Sequence, residues 1–246
     1  MISIDVFLDH TCPFSYMAFS AVRRAMASTS ATMPGAMSVT WRPLPIAGGG
    51  MYLSPADAAM HAARQSAEWP QVQALAASRF GLTLRPPIWG MDAHAPAAAA
   101  HWVRQVQPDA ETEFHQALFS AGFESERDLG DSAVPADSGD AGPPANNNHP
   151  RSLADIGNPV TLAAIARSIG VDPSGLEECL TTGAMQLALA ADAAMAEAHG
   201  ATAVPAILVG GSHLLLGAQP EAVLRMTVAQ MASRDTSRTV VAGTVE

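Results

Sequence analysis

Apolar and polar positions follow strand or helix periods along most of the chain, and the changes of period mark its elements. Residues 2–9, ISIDVFLD, are short, β-branched and apolar, the pattern of a buried strand. Thr11-Cys12-Pro13 follows, and Phe14 to Ala27 reads as a helix, with Pro13 in the first turn, where proline is tolerated. Residues 37–42, MSVTWR, predict a second strand, ended by Pro43, Pro45 and the Gly48-Gly49-Gly50 run. From Pro55 to about Phe123 the pattern is Ala-rich and helical, broken at 81–92, where two prolines prohibit a regular helix.

Residues 131–150 contain four prolines and no aromatic residue and predict a linker or surface loop. Helices are predicted at 159–170, 173–181 and 184–199. The VPAILV run at 204–209 reads as a strand, Gly210-Gly211 as a hairpin turn and HLLL at 213–216 as its partner. Gly217-Ala218-Gln219-Pro220 leads into a helix over 221–232, and the last fourteen residues read as a polar tail. The order is β-α-β, a helical block, then α-β-β-α. That is an α/β thioredoxin fold with an inserted helical subdomain. Residues 1–50 and 184–232 supply its two halves, 51–183 the insertion and 233–246 a flexible tail.

The 246 residues hold 49 alanines, 13 arginines, no lysine and 23 acids, for a net charge of −10. That balance, without a basic run, excludes sequence-independent nucleic-acid binding. The two cysteines cannot build a disulfide scaffold or a four-cysteine zinc site. The longest apolar stretches, 201–209 and 214–218, fall far short of the roughly 20 residues that span a bilayer, so no membrane partner is expected. Met1-Ile2-Ser3-Ile4-Asp5 lacks the basic start of a signal peptide, and the expected compartment is the cytoplasm.

Cys12 lies between a strand and a helix, beside free N–H groups and the positive end of the helix dipole. A thiol there is expected to have a lowered pKa, and the Ser15 hydroxyl can donate to its sulfur. His10, two residues earlier, is a candidate to raise the thiolate fraction or to act as a proton donor, the alternative being a strand-end side chain that points away. Cys179, in SGLEECLTT, reads as a small buried residue, with a remote resolving thiol as the alternative. The eight histidines form no HExxH or His-x-x-x-His pair, so they read as surface or helix-face residues and no metal is expected. Trp41 and Arg42 end the second strand. Arg42 could bind an acidic substrate or a thiol cofactor, or pair with a carboxylate. Met51, Tyr52, Trp89 and Met91 are candidates to line an apolar cleft. No phosphate-binding loop or GxSxG elbow is present.

The strand IDVFLD, the tetrad Cys12-Pro13-Phe14-Ser15 and the distal Ala203-Val204-Pro205-Ala206 resemble the DsbA-like thioredoxin superfamily. The stretch 154–232, with its Gly217-Ala218-Gln219-Pro220 turn, and Asp92-Ala93-His94 are similar to the FrnE-type branch. The resemblance covers most of the chain outside 131–150. It implies that Cys12 is the nucleophile and that Pro205 is a cis-proline, with the Val204 backbone presented to a thiol or peptide. Ser15 stands where a dithiol member has its second cysteine, so the usual CxxC disulfide cannot close. Cys12-Pro13-Phe14-Ser15-Tyr16-Met17-Ala18 and Trp41-Arg42-Pro43 are also similar to 2-hydroxychromene-2-carboxylate isomerases and kappa-class glutathione transferases, whose first motif position is a serine that orients bound glutathione.

Three functions are expected on these grounds. The first is a thiol oxidoreductase using Cys12, Ser15 and His10 on a small molecule, a natural product among them, or on a thiol conjugate, with Pro13, Phe14, Trp41, Arg42, Val204 and Pro205 binding substrate or thiol. The second is a glutathione- or mycothiol-dependent isomerase or transferase. The third is a redox-inactive ligand-binding protein. No tightly bound cofactor is expected; the candidate co-substrate is a low-molecular-weight thiol. The resemblance also implies a homodimer.

Overall fold

The computed structural model describes residues 1–32, 35–45, 55–124 and 154–242. The Gly48-Gly49-Gly50 loop with Met51 and Tyr52, and the predicted loop at 131–150, lie outside the described residues. The predicted α/β order is present. Strand β1 (Ile2–Leu8) leads to helix α1 (Pro13–Thr32) and strand β2 (Met37–Pro43). Four helices come next: α2 (Pro55–Leu75), α3 (His94–Val106), α4 (Glu111–Phe123) and α5 (Pro159–Ser168). Helices α6 (Leu176–Thr182) and α7 (Gln186–Ala198), the hairpin β3 (Ala206–Val209) and β4 (His213–Leu216), and helix α8 (Glu221–Ala242) complete the chain.

The four strands form one mixed sheet in the order β2-β1-β3-β4, with β1 parallel to β2 and antiparallel to β3. β1 is therefore an inner strand, with Ile2, Ile4, Val6 and Leu8 alternating with Ser3, Asp5 and Phe7 on the opposite face. Ile4, Val6 and Leu8 pack with α1, α8 and Trp41 in the main core. Phe7 turns to the other face, with Ala196, Ala206 and Leu208. The hairpin pairs Val209 with His213 across a three-residue loop, Gly210-Gly211-Ser212; Gly210 and Gly211 both take positive φ (59° and 66°), and the Val209 carbonyl accepts from the Ser212 N–H at 3.3 Å. Pro205 has no N–H to give the ladder, so β3 starts one residue after it.

The inserted helices build a second core around Trp102, Phe114, Leu118, Ile156, Leu162 and Ile165. α4 is a wall shared by both cores: Phe114 and Leu118 face the second, Phe119 and Phe123 the first. α2 and the segment after it also join the first core, through Trp69, Phe80 and Leu84. The insertion is thus packed into the thioredoxin unit along two elements. The irregular stretch expected at 81–92 is present, entered through a π-turn (Ala76–Phe80) that Gly81 ends at φ 65°. Two helices run well past their expected ends. α1 runs five residues beyond the predicted Ala27, and α8 continues through the predicted tail to Ala242, because no glycine or proline interrupts either segment.

Candidate active site

The turn from β1 into α1 shapes the ground around Cys12. The Asp9 carboxylate accepts from the Thr11 N–H and the Thr11 hydroxyl, both at 2.8 Å, and its carbonyl accepts from the Cys12 N–H at 3.1 Å. The Cys12 carbonyl accepts the first helical bond, from Tyr16 N–H at 3.2 Å, so Cys12 caps α1. Ser15 is fully buried, and its hydroxyl oxygen accepts from the Asp9 N–H at 3.1 Å. Its N–H and O–H, with the Phe14 N–H, act to lower the pKa of the Cys12 thiol.

The expected lowering of the thiol pKa does not occur. Burial pushes the Cys12 thiol above its ordinary value and the Asp9 carboxylate adds to the rise; together they outweigh the donors from Ser15 and Phe14. Cys12 nonetheless keeps partial exposure, flanked by half-buried Pro13 and exposed Phe14. The Val204–Pro205 bond is cis, as the resemblance implied. In the β1–β3 register Phe7 faces Ala206, and one further step along it places Pro205 opposite Leu8, where the chain leaves β1 for Cys12. Val204 is half-buried and Pro205 buried.

His10 is fully buried and turned inward. Its ring stacks on His115 (centroids 5.0 Å apart, 14° between planes) and lies against Phe119. Burial, then the neighbouring His115 and His101, hold its pKa well below the usual histidine value. It is therefore neutral near pH 7. Its ring packs against His115 in the interior, and a neutral ring lends no positive charge to the thiolate.

From His10 a polar seam runs between the sheet and the inserted helices. His10 Nε2 and His115 Nδ1 are 2.8 Å apart, and His115 Nε2 stands 3.5 Å from Glu111 Oε1. Glu111 accepts from the Arg104 guanidinium at 2.6 and 2.8 Å, and Arg104 also donates to the Trp41 carbonyl. Arg104 Nη1 lies 3.5 Å from His101 Nδ1, and His101 Nε2 is 2.9 Å from Asp192 Oδ2. Asp192 accepts from Arg42 at 2.8 Å, and Arg42 donates to Asp5 at 2.7 Å. Burial would raise the Glu111 carboxyl, but His115 and Arg104 hold it below the usual range, so it is ionised. Among the described residues no three His, Cys, Asp or Glu side chains are grouped to hold a metal ion.

The candidates from sequence therefore divide. Cys12, Pro13, Phe14 and Ser15 are consecutive at the start of α1, and Val204-Pro205 lies at the neighbouring strand end. Trp41 is instead buried, donating from Nε1 to Thr112 at 3.0 Å, and Arg42 is engaged by two carboxylates, the pairing alternative to substrate binding. Met91 is packed in the second core and Trp89 edge-on against Trp69, so neither forms the expected cleft wall. His101 and His115 are buried, contrary to the surface reading of the histidines, whereas His94 is exposed beside Asp92. Both cysteines are free, and Cys179 packs among the helices of the second core. Asp9, His115, Glu111 and Asp192 carry no motif that marks them in the sequence. The one local signal is Glu111 and His115 four apart on a helix, a spacing common on solvated faces.

Residues 3–138 and 152–229 match the DsbA-like thioredoxin domain. Comparison with curated proteins gives no match. Among solved structures the chain is similar to one described as a probable DsbA oxidoreductase from Streptomyces coelicolor (18% identity, 94% of this chain and 89% of that one, TM-score 0.64). It is similar to a thioredoxin-like oxidoreductase from Silicibacter pomeroyi (17% identity, 95% and 87%, TM-score 0.53). It is also similar to a 2-hydroxychromene-2-carboxylate isomerase (14% identity, 96% and 98%, TM-score 0.60). At these identities the likeness establishes the fold. With the family match extending over most of the chain, this protein belongs to the DsbA-like thioredoxin domain family.

Proposed function

We propose that this protein is a thiol–disulfide oxidoreductase working through a single cysteine on a small-molecule or thiol-conjugate disulfide. The observation that carries this reading is a partly exposed cysteine, Cys12, capping the start of α1 in a chain whose Val204–Pro205 bond is cis. With serine at position 15, the second sulfur comes from solution. Cys12 attacks a disulfide RSSR, forming Cys12–S–S–R and releasing RSH; a different external thiol R′SH then attacks the mixed disulfide at the R sulfur, leaving as RSSR′ and returning Cys12 to the thiol. Phe14, Pro13 and the Val204 backbone are the groups placed to touch the substrate.

A raised thiol pKa favours a second reading, in which bound glutathione or mycothiol is the nucleophile and Cys12 and Ser15 orient it, as in the isomerase resemblance. Incubation with glutathione disulfide, followed by intact mass and peptide mapping, separates the two. The first reading expects one glutathionyl adduct at Cys12, reversed by excess glutathione and abolished in Cys12→Ser. Saturable glutathione binding that survives in Cys12→Ser, without adduct formation in the wild type, would replace the first reading with the second.

A further inference from the structure

One turn carries both Cys12 and a buried carboxylate. Asp9 follows β1 and is 1% exposed. Its carbonyl accepts from the Cys12 N–H at 3.1 Å, a bond across a four-residue turn that holds the two α-carbons within about 7 Å. Its Oδ1 accepts from the Thr11 N–H and the Thr11 hydroxyl, both at 2.8 Å, so the carboxylate is pinned one residue before Cys12. These bonds need an acceptor but not a charge: an asparagine or serine side chain closes the same kind of turn. The charge is more than the turn requires, and burying it is unfavourable. Across about 7 Å of protein interior, one negative charge opposes the appearance of another by at least about tenfold in an ionisation constant. Among the groups that act on the Cys12 thiol, Asp9 is the charged side chain. Ser15 and Phe14 act as dipoles, and His10, turned inward on His115, is neutral. Val204 and Pro205, at the neighbouring strand end, bring no charge.

We propose that the Asp9 carboxylate is a positioning residue that opposes negative charge on the Cys12 sulfur, and thereby slows both the formation and the breaking of the Cys12 mixed disulfide without changing its amount at equilibrium. This role rests on the thiol-exchange function proposed above. In formation, Cys12 gives its S–H proton to water and its sulfur bonds one sulfur of RSSR. The other sulfur leaves as RS⁻ and takes up a proton as RSH. In release, R′S⁻ bonds the R sulfur and the S–S bond breaks. Its electron pair returns to the Cys12 sulfur, which takes a proton from water. Negative charge rests on that sulfur at the start of the first step and at the end of the second, so Asp9 raises both barriers. The end states, a protonated thiol and a mixed disulfide, carry no charge there, and Asp9 leaves the balance between them alone. The consequence is a mixed disulfide that persists, because a thiolate of raised basicity is expelled slowly.

The test begins on the unaltered full chain, labelled with ¹³C at aspartate and read by NMR. The Asp9 carboxyl should be ionised at pH 7, and its carbon shift should move as Cys12 titrates, a movement absent in Cys12→Ser. An Asp9 carboxyl protonated at pH 7 overturns the proposed role. The second arm compares the wild type with Asp9→Asn and Asp9→Ser, which keep an acceptor for Thr11 without the charge. The midpoint of Cys12 alkylation by iodoacetamide should fall by about one pH unit. Formation of the mixed disulfide with 2-hydroxyethyl disulfide, an uncharged probe, and its release by 2-mercaptoethanol should each speed up about threefold at pH 7. Intact mass and peptide mapping follow both reactions, and the occupancy at a fixed ratio of disulfide to thiol should not move. Unchanged rates and midpoint in a variant with native circular dichroism overturn the role of Asp9 and leave single-cysteine exchange standing. A shifted occupancy marks Asp9 as structural and overturns it too. A wild-type Cys12 inert both to the uncharged probe and to glutathione disulfide overturns the exchange function and, with it, the role of Asp9.

Discussion

At the scale of the residue, Ser15 sets two balances at once. Its hydroxyl acts to lower the Cys12 thiol pKa while its oxygen accepts from the Asp9 N–H. Ser15→Ala removes a donor that lowers the thiol pKa, so the midpoint of iodoacetamide alkylation at Cys12 should move to still higher pH. In the wild type that midpoint should already lie above the free-cysteine value of about 8.5. The same change removes the hydrogen bond from the Asp9 N–H to the Ser15 hydroxyl and should cost about 1 kcal/mol in urea unfolding. Cys12, Pro13 and Ser15 were readable in the sequence because their relations are local, within one turn of helix. The sign of the Cys12 shift was not, because burial depends on what the rest of the chain packs around the turn. His10 shows the same limit: its partner His115 is 105 residues away.

Among the elements, α4 is the one on which most depends. It presents Phe114 and Leu118 to one core, Phe119 and Phe123 to the other, and Glu111 and His115 to the seam between them. Phe119 stacks on Tyr16 (centroids 5.0 Å) and lies against His10. Phe119→Ala should therefore cost about 3–5 kcal/mol in urea unfolding, since it opens a cavity between the Tyr16 and His10 rings. By contrast, Asn158→Ala should cost about 1 kcal/mol without altering Cys12, because Asn158 only caps α5, accepting from Val160 N–H at 2.8 Å. That cap, the strand at 2–8 and the Gly210-Gly211 turn follow from short-range rules. The double-sided character of α4 does not, since one helical stripe reads the same whether one core or two lie behind it.

Across the whole molecule, the seam joins β1 and β2 of the sheet to α3, α4 and α7. Arg42 compensates Asp5 and Asp192, which are 10% and 3% exposed, so Arg42→Leu should destabilise by about 3 kcal/mol, measured by urea unfolding. The buried His10 and His115 make the join sensitive to acid. Their folded pKa values lie below 6.5, so below that pH the unfolded chain binds more protons and stability falls. The loss is at most about 1.4 kcal/mol per pH unit for each histidine. The urea midpoint should drop as pH falls from 6.5 to 5, and His115→Gln should flatten that slope. The order of strands and helices gave away the thioredoxin halves, while the join of the insertion to them rests on hydrogen bonds between distant residues, such as Trp41 with Thr112, 71 apart, and Arg104 with the Trp41 carbonyl, 63 apart.

The lodging of the two cysteines, one at the mouth of α1 and one inside the helical core, has a consequence in stoichiometry. An intramolecular disulfide consumes one RSSR and releases two RSH, so its occupancy depends on the square of the thiol concentration and changes on dilution. A mixed disulfide at Cys12 consumes one RSSR and releases one RSH. Its occupancy tracks only the ratio of oxidised to reduced thiol, whatever the size of the pool, and a single sulfur of this kind reports redox ratio as a dimensionless quantity.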